Sequence, residues 1–381
     1  MFVFFGLFHF WSAYEIMKRS GAPAGASSSE PLTKSTRQEL RAELVATTAG
    51  PKSAIASVLK TLQRRGLLND SELGCRDEAR QLTNASHAHA NATTPYGTVV
   101  QTMPLEMEGG GSFIWDFIHP LAFLWYLTCK CAQFGDLMAA AISSAAGGNL
   151  SLLLYGDDLT PGNPLRHDTG RKVFAFYYAF LEWPVWMLHR RDAWMCFGNL
   201  RVSIIEKLKG GVSAVFAKIA QVMFTTVPTN LANGFFIVVK GAEIMMRAIF
   251  KGIIADEKGL KEAWDIKGQA GIKPCISCQN IFNFIHKQGG DDGYRKGLDN
   301  VSRESWIPHT NESLIAMHDQ LALLPKSQRE PGETQRGVNY NPVGLIGQPE
   351  LRAIIAPESQ YFRDWQRTCC SEPSSCWLLR W

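Results

Sequence analysis

The apolar positions change period along the chain, and each period predicts an element. Between residues 32 and 70, Leu40, Leu44 and Val45 fall at helical spacing, and Ile55, Val58, Leu59 and Leu62 share one helical face. Thr36 and Glu39 can form a capping box on the first helix, Gly50-Pro51 breaks it, and Gly66 stops the second. Residues 71–111 lack a period and read as an irregular linker, with Gly109-Gly110-Gly111 as a hinge or boundary. Residues 113–146 are apolar with a helical texture. Asp116, His119, Lys130 and Asp136 interrupt them, which favours a buried helix pair over a membrane span. Cys129 and Cys131 then read as small core residues.

From residue 150 the texture alternates. Strands are predicted at 150–155, 173–181 and 235–239, and an apolar run at 253–255 leads into Asp256. Helices are predicted at 192–208, 213–224, 242–250 and 311–324, and residues 325–337 read as a charged loop. Such alternation predicts a mixed α/β core. The expected organisation is an apolar N-terminus and linker (1–31), a small all-α unit (32–70), the irregular linker (71–111), the core (112–367) and an aberrant tail (368–381). That tail, with Cys369-Cys370 and Trp377 to Trp381, fits no periodic pattern and reads as a truncated or frame-shifted end. Two short helices joined by a tight turn have the form of a helix-turn-helix. Lys52, Ser53, Lys60, Arg64 and Arg65 lie on its second helix, where DNA contacts would come from. A plain helical hairpin with a solvated basic face has the same pattern, and both readings stay open.

Composition narrows the class. A chain of 381 residues holds two or three domains, and 46% hydrophobic residues exclude wholesale disorder. A net charge of +4 permits a nucleic-acid partner without demanding one. Nine cysteines are too few for a disulfide scaffold, and the odd total favours a reducing compartment, nuclear or cytoplasmic. Residues 1–11 are apolar, but no basic residue precedes them and Ser12 to Glu15 interrupt them before a span's length of about 20 residues. A membrane anchor through residues 1–17 is the alternative.

The chemistry centres on Tyr155-Gly156-Asp157-Asp158. Carboxylates at the end of a buried strand sit on a rigid support and can hold Mg²⁺, which takes one or two carboxylates plus phosphate oxygens. The alternative is a solvated turn after the strand. This tetrapeptide is also a polymerase signature, but Pro161, Gly162 and Pro164 exclude the immediate return strand that a polymerase hairpin needs. Downstream, Asp256-Glu257 is a second acidic point. Cys275 and Cys278 supply two thiolates of a Zn²⁺ site with His286 as the nearest third ligand, or are two reduced core cysteines. Arg166, Arg171, Lys172, Arg190 and Arg191 flank the first acids, and Lys258, Lys261, Lys267 and Lys273 follow the second. They fit a phosphate-rich backbone or a solvated face.

The run from Tyr155 to Asn163 resembles the Tyr-Ser-Asp block, followed by Gly-Asn, of Plavaka-type and related CACTA transposases. Ile254-Ala255-Asp256 followed by Cys275 and Cys278 resembles their second Asp block and its Cys pair. Residues 339–365, closing Tyr361-Phe362-Arg363-Asp364-Trp365, are similar to a later block that ends with Asp, an apolar residue and Met-His; here Gln366-Arg367 stand in place of Met-His. The same order of blocks is similar to a multicopy family of uncharacterised dinoflagellate proteins. The resemblance implies an RNase H-like core with a DDE-type Mg²⁺ site. Asp157, Asp256 and Asp364 would be its catalytic acids, Asp157 and Asp256 the Mg²⁺ ligands, and Cys275 and Cys278 a Zn²⁺ half-site. It implies DNA as partner and phosphodiester cleavage or strand transfer as reaction. No position matches a catalytic Glu, so little or no activity is expected. A non-enzymatic DNA-binding protein and a membrane-anchored protein are the alternatives.

Overall fold

The computed structural model describes residues 89–159, 172–190, 193–268, 271, 273, 278–286, 294–298, 302–357 and 359–363. Two short strands, β1 (Thr93–Thr94) and β2 (Gly97–Thr98), pair antiparallel and lead into a hairpin of β3 (Val100–Glu106) and β4 (Ser112–Ile118). Gly109, Gly110 and Gly111 form the turn of that hairpin. The expected irregular stretch therefore contains regular structure from Thr93 onward, and 113–118 is strand rather than helix. On β4, Trp115 and Phe117 are buried while Ile114 and Asp116 are exposed, a period of two. The helix pair begins at α1 (Pro120–Lys130), capped by His119, and continues in α2 (Ala132–Ser144). Cys129 is exposed and Cys131 is half-buried at the junction of the two helices, so neither is a core residue.

The principal sheet is built from β5 (Leu150–Leu159), β6 (Val173–Phe180), β7 (Met195–Arg201), β10 (Ala248–Ala255) and β13 (Tyr361–Arg363). Its order is β13-β10-β5-β6-β7. The first three strands in sequence form an antiparallel meander, and β10 and then β13 are added parallel on the far side of β5. Between them come α3 (Gly211–Phe224), a hairpin of β8 (Phe235–Val239) and β9 (Ala242–Met246), and α4 (Glu257–Ala263) after β10. A further hairpin, β11 (Phe282–His286) with β12 (Tyr294–Leu298), and helices α5 (Asn311–Ala322) and α6 (Lys326–Arg336) lie between α4 and β13. The architecture is mixed α/β, as the alternation predicts.

Three predicted elements are corrected. Residues 192–208 contain β7, because Met195 to Gly198 are all buried and a run covered on both faces hides the period of two. Residues 242–250 contain β9 and the start of β10, where pairing with β8 and β5 overrides the helix propensity of Ala-Glu-Ile-Met-Met. Residues 326–336 form α6, closed by Gly337 at φ 77° and tied to the core by the Lys267–Glu333 ion pair.

One face of the sheet packs on α3, which buries Val215, Phe216, Ile219, Ala220 and Met223. Gly156 makes this close: a Cβ there would lie 2.8 Å from Phe174 and 2.9 Å from Phe216. Trp115 reaches the same sheet from the hairpin, packs edge-on against Phe176 and tilted against Phe197, and donates from Nε1 to the Asn199 carbonyl at 3.0 Å. Each such aromatic burial stabilises by about 1.5–3 kcal/mol. Behind α3, the buried Asp265 carboxylate accepts hydrogen bonds from Ser213 Oγ (2.6 Å) and Asn341 Nδ2 (2.9 Å), and Ser213 Oγ accepts from the Leu345 amide. This network fastens the 338–347 segment, which leads toward β13, onto α3 and the end of α4. No helix among the described residues is long and apolar enough to cross a membrane. Residues 1–17 lie outside the described ones.

Candidate functional site

β5 runs through the acidic pair instead of ending before it. Asp157 pairs with Ala175 and Asp158 with Phe174, so neither acid sits in a solvated turn. Alternation along the strand sends the two side chains to opposite faces. Asp157 shares its face with Tyr155, whose hydroxyl donates to Asp157 Oδ2 at 3.1 Å. The Tyr155 ring is itself held between Tyr177 and Trp194, with centroids at 6.1 and 5.6 Å. Asp158 shares the face of Gly156 and forms an ion pair with Lys172 at the start of β6.

On the neighbouring strand, Ile254 pairs in parallel with Tyr155. β10 ends at Ala255, and the same register carried two residues past Ile254 leads to Asp256 beside Asp157. Asp256 is also the N-cap of α4: its Oδ1 accepts the Gly259 amide at 2.7 Å, at the positive end of the helix. Asp256 follows the carboxyl end of β10 and Asp157 lies two residues before the carboxyl end of β5, the edge at which open α/β sheets form a crevice. Glu262, one turn and a half along α4, borders this edge. Burial raises its pKa, the paired Lys258 lowers it, and the charges of Asp158 and Asp256 raise it further.

Two carboxylates from adjacent strands fit the donor set of Mg²⁺, which retains open positions for phosphate oxygens. No group of three or more His, Cys, Asp and Glu side chains that could hold a metal is assembled among the described residues. Asp364 lies outside them; it follows Arg363, which pairs with Ala255 on β10. Cys278 is half-buried and its backbone bridges to Pro308, while Cys275 is outside the described residues. The helix-turn-helix residues Lys52, Ser53, Lys60, Arg64 and Arg65 are outside them as well, as are Arg166, Arg171 and Arg191.

The lysines after Asp256 are less available than their spacing suggests. Lys258 pairs with Glu262, Lys261 with Glu257 and Lys267 with Glu333. Glu262 is the residue of this edge that the sequence pattern does not single out, its one signal being that it lies six positions after Asp256 on a helix. Lys172, among the basic residues flanking the first acids, pairs with Asp158. No protein-family model matches the chain, and no curated protein matches it.

Proposed function

We propose that the chain is a DNA transposase-like protein with an RNase H-like core, in which Asp157 and Asp256 form the carboxylate pair of a Mg²⁺-dependent phosphodiester site. The observation that supports this reading is the parallel register of β10 on β5, Ile254 opposite Tyr155, which carried two residues onward brings Asp256 beside Asp157. The strand arrangement supports it: an RNase H-like sheet is a three-stranded meander with two further strands added parallel beside its first strand, and the order here is β7-β6-β5-β10-β13. Asp364 follows β13 in the sequence.

In this site Asp157 is oriented by the Tyr155 hydroxyl, and Asp256 by the first turn of α4. Asp157 shares the Tyr155 face of β5, and Asp158 lies on the opposite face with Lys172. When bound there, Mg²⁺ would neutralise charge on a phosphodiester and lower the pKa of an attacking water or 3′-hydroxyl. Cys275 and Cys278 remain a proposed Zn²⁺ half-site, and Lys52, Ser53, Lys60, Arg64 and Arg65 a proposed DNA contact surface.

The test is nicking of supercoiled DNA by the full chain with and without Mg²⁺. Turnover is expected to be slow or absent, because no catalytic Glu is matched, and any Mg²⁺-dependent nicking should vanish in Asp157→Ala and in Asp256→Ala. Robust Mg²⁺-dependent nicking that survives Asp157→Ala sinks the assignment. Salt-sensitive, metal-independent DNA binding, weakened by Lys60→Ala with Arg64→Ala, would accompany the proposed role of the N-terminal unit.

A further inference from the structure

The pairing of β10 with β5 is not uniform. Ala248, Ile249 and Phe250 face Leu150, Ser151 and Leu152, whereas Gly252, Ile253 and Ile254 face Leu153, Leu154 and Tyr155. Lys251 is the extra residue, exposed to solvent, and the ladder slips by one position around it. Had the first register continued, Asp256 would stand level with Asp158. A slip of one residue also changes the face to which a paired side chain belongs. Carried on past Ile254, the second register matches Asp256 to Asp157 on the Tyr155 face.

The bulge is built by particular residues. Gly252 has φ 152°, and a Cβ there would lie 2.5 Å from the Gln360 carbonyl oxygen and 2.8 Å from its carbon. The contact is with backbone, so it cannot be relieved by a side-chain rotation. Gln360, buried at the head of β13, bonds to β10 on either side of the bulge. Its carbonyl accepts the Ile253 amide at 2.8 Å, and its Nε2 donates to the Phe250 carbonyl at 2.8 Å and to the Ile354 carbonyl at 3.1 Å. Its Oε1 accepts the Ala356 amide. A buried carbonyl left without these bonds costs about 1–3 kcal/mol.

We propose that the bulge at Lys251-Gly252, locked by Gln360, is the positioning device that pairs Asp256 with Asp157 rather than with Asp158. This rests on the carboxylate-pair reading for its function, but the register itself is tested without metal or DNA. Level residues on adjacent parallel strands are about 4.8 Å apart, within disulfide reach. In the full chain, Asp157→Cys with Asp256→Cys should cross-link under mild oxidation, roughly tenfold more than Asp158→Cys with Asp256→Cys, read by mass spectrometry of the joined peptides. The opposite preference overturns the proposal. Deleting Lys251 should reverse the preference, and a shortened chain that keeps the Asp157 cross-link also overturns it. If the shortened chain no longer unfolds cooperatively, Gly252→Ala in the chain of normal length decides. It should lower the Asp157–Asp256 yield, with an unchanged yield refuting the device. Cross-linking as expected with no metal binding would leave the bulge standing and defeat the phosphodiester site instead.

Discussion

Asp265 should make the stability of this protein fall as the pH rises from acid to neutral. Its carboxylate is buried, and desolvation pushes its pKa from 3.8 up to about 7 against the lowering effect of the Ser213 and Asn341 hydrogen bonds; Glu333 adds to the rise. A folded-state pKa above the unfolded one means that the folded chain holds the extra proton between those two values. The stabilisation is complete below about pH 4 and is lost as the pH passes through about 7. A shift of about three units at about 1.4 kcal/mol each gives about 4 kcal/mol. Other groups titrate in the same window, so the readout is a difference between proteins. Urea unfolding of the full chain and of Asp265→Asn, followed by tryptophan fluorescence from about pH 4 to about pH 8, isolates it. The gap between the two curves should move by about 4 kcal/mol in favour of the variant toward high pH. Curves that stay parallel within about 1 kcal/mol would refute the claim that burial controls this carboxylate.

The remaining predictions concern the packing around the site and one buried imidazole. Burial, helped by the charge of Lys273, pushes His309 down to about 4, so its contribution is present above about pH 6.5 and lost as the pH falls through about 4. His309→Gln should remove about 3 kcal/mol of acid sensitivity from the unfolding profile, and an unchanged acid limb would count against the neutral, buried state. Gly156→Ala would press a methyl group against Phe174 and Phe216 and should cost about 1–3 kcal/mol by chemical denaturation; equal stability would show that the α3 contact is looser than described. Lys172→Met breaks a partly exposed ion pair with Asp158 and should cost no more than about 1 kcal/mol.

The centre of the sheet was legible because its strands are nearly continuous apolar runs. Leu152 to Leu154, Phe174 to Phe180 apart from the half-buried Tyr177, and Ile253 to Ala255 are buried on both faces and need no alternation to be recognised. Helix α3 was legible from its glycine punctuation and its period. The continuation of β5 through Asp157 and Asp158 was not, since charged residues ordinarily end a strand. Here a neighbouring strand supplies Ala175 and Phe174 as ladder partners, and Lys172 supplies the counter-charge, from residues far along the chain. Hairpin β8–β9 was hidden for the opposite reason: the local propensity of its second strand is helical, and only the pairing decides. At the candidate site, Asp157 and Asp256 could be picked out individually as acids after apolar runs. Their alignment depends on one extra residue, Lys251, and on Gln360, which lies more than a hundred positions away. No local pattern carries that information.

Manganese binding to the full chain, followed by loss of the free-ion paramagnetic signal, bears most directly on the paired acids. Manganese stands in for Mg²⁺ because both take oxygen ligands in octahedral geometry. Asp157→Asn and Asp256→Asn should each weaken binding by roughly tenfold or more, while Asp158→Asn stays within about twofold of the unaltered chain. Full affinity in Asp157→Asn, or a loss confined to Asp158→Asn, would contradict the assignment of Asp157 and Asp256 as one site.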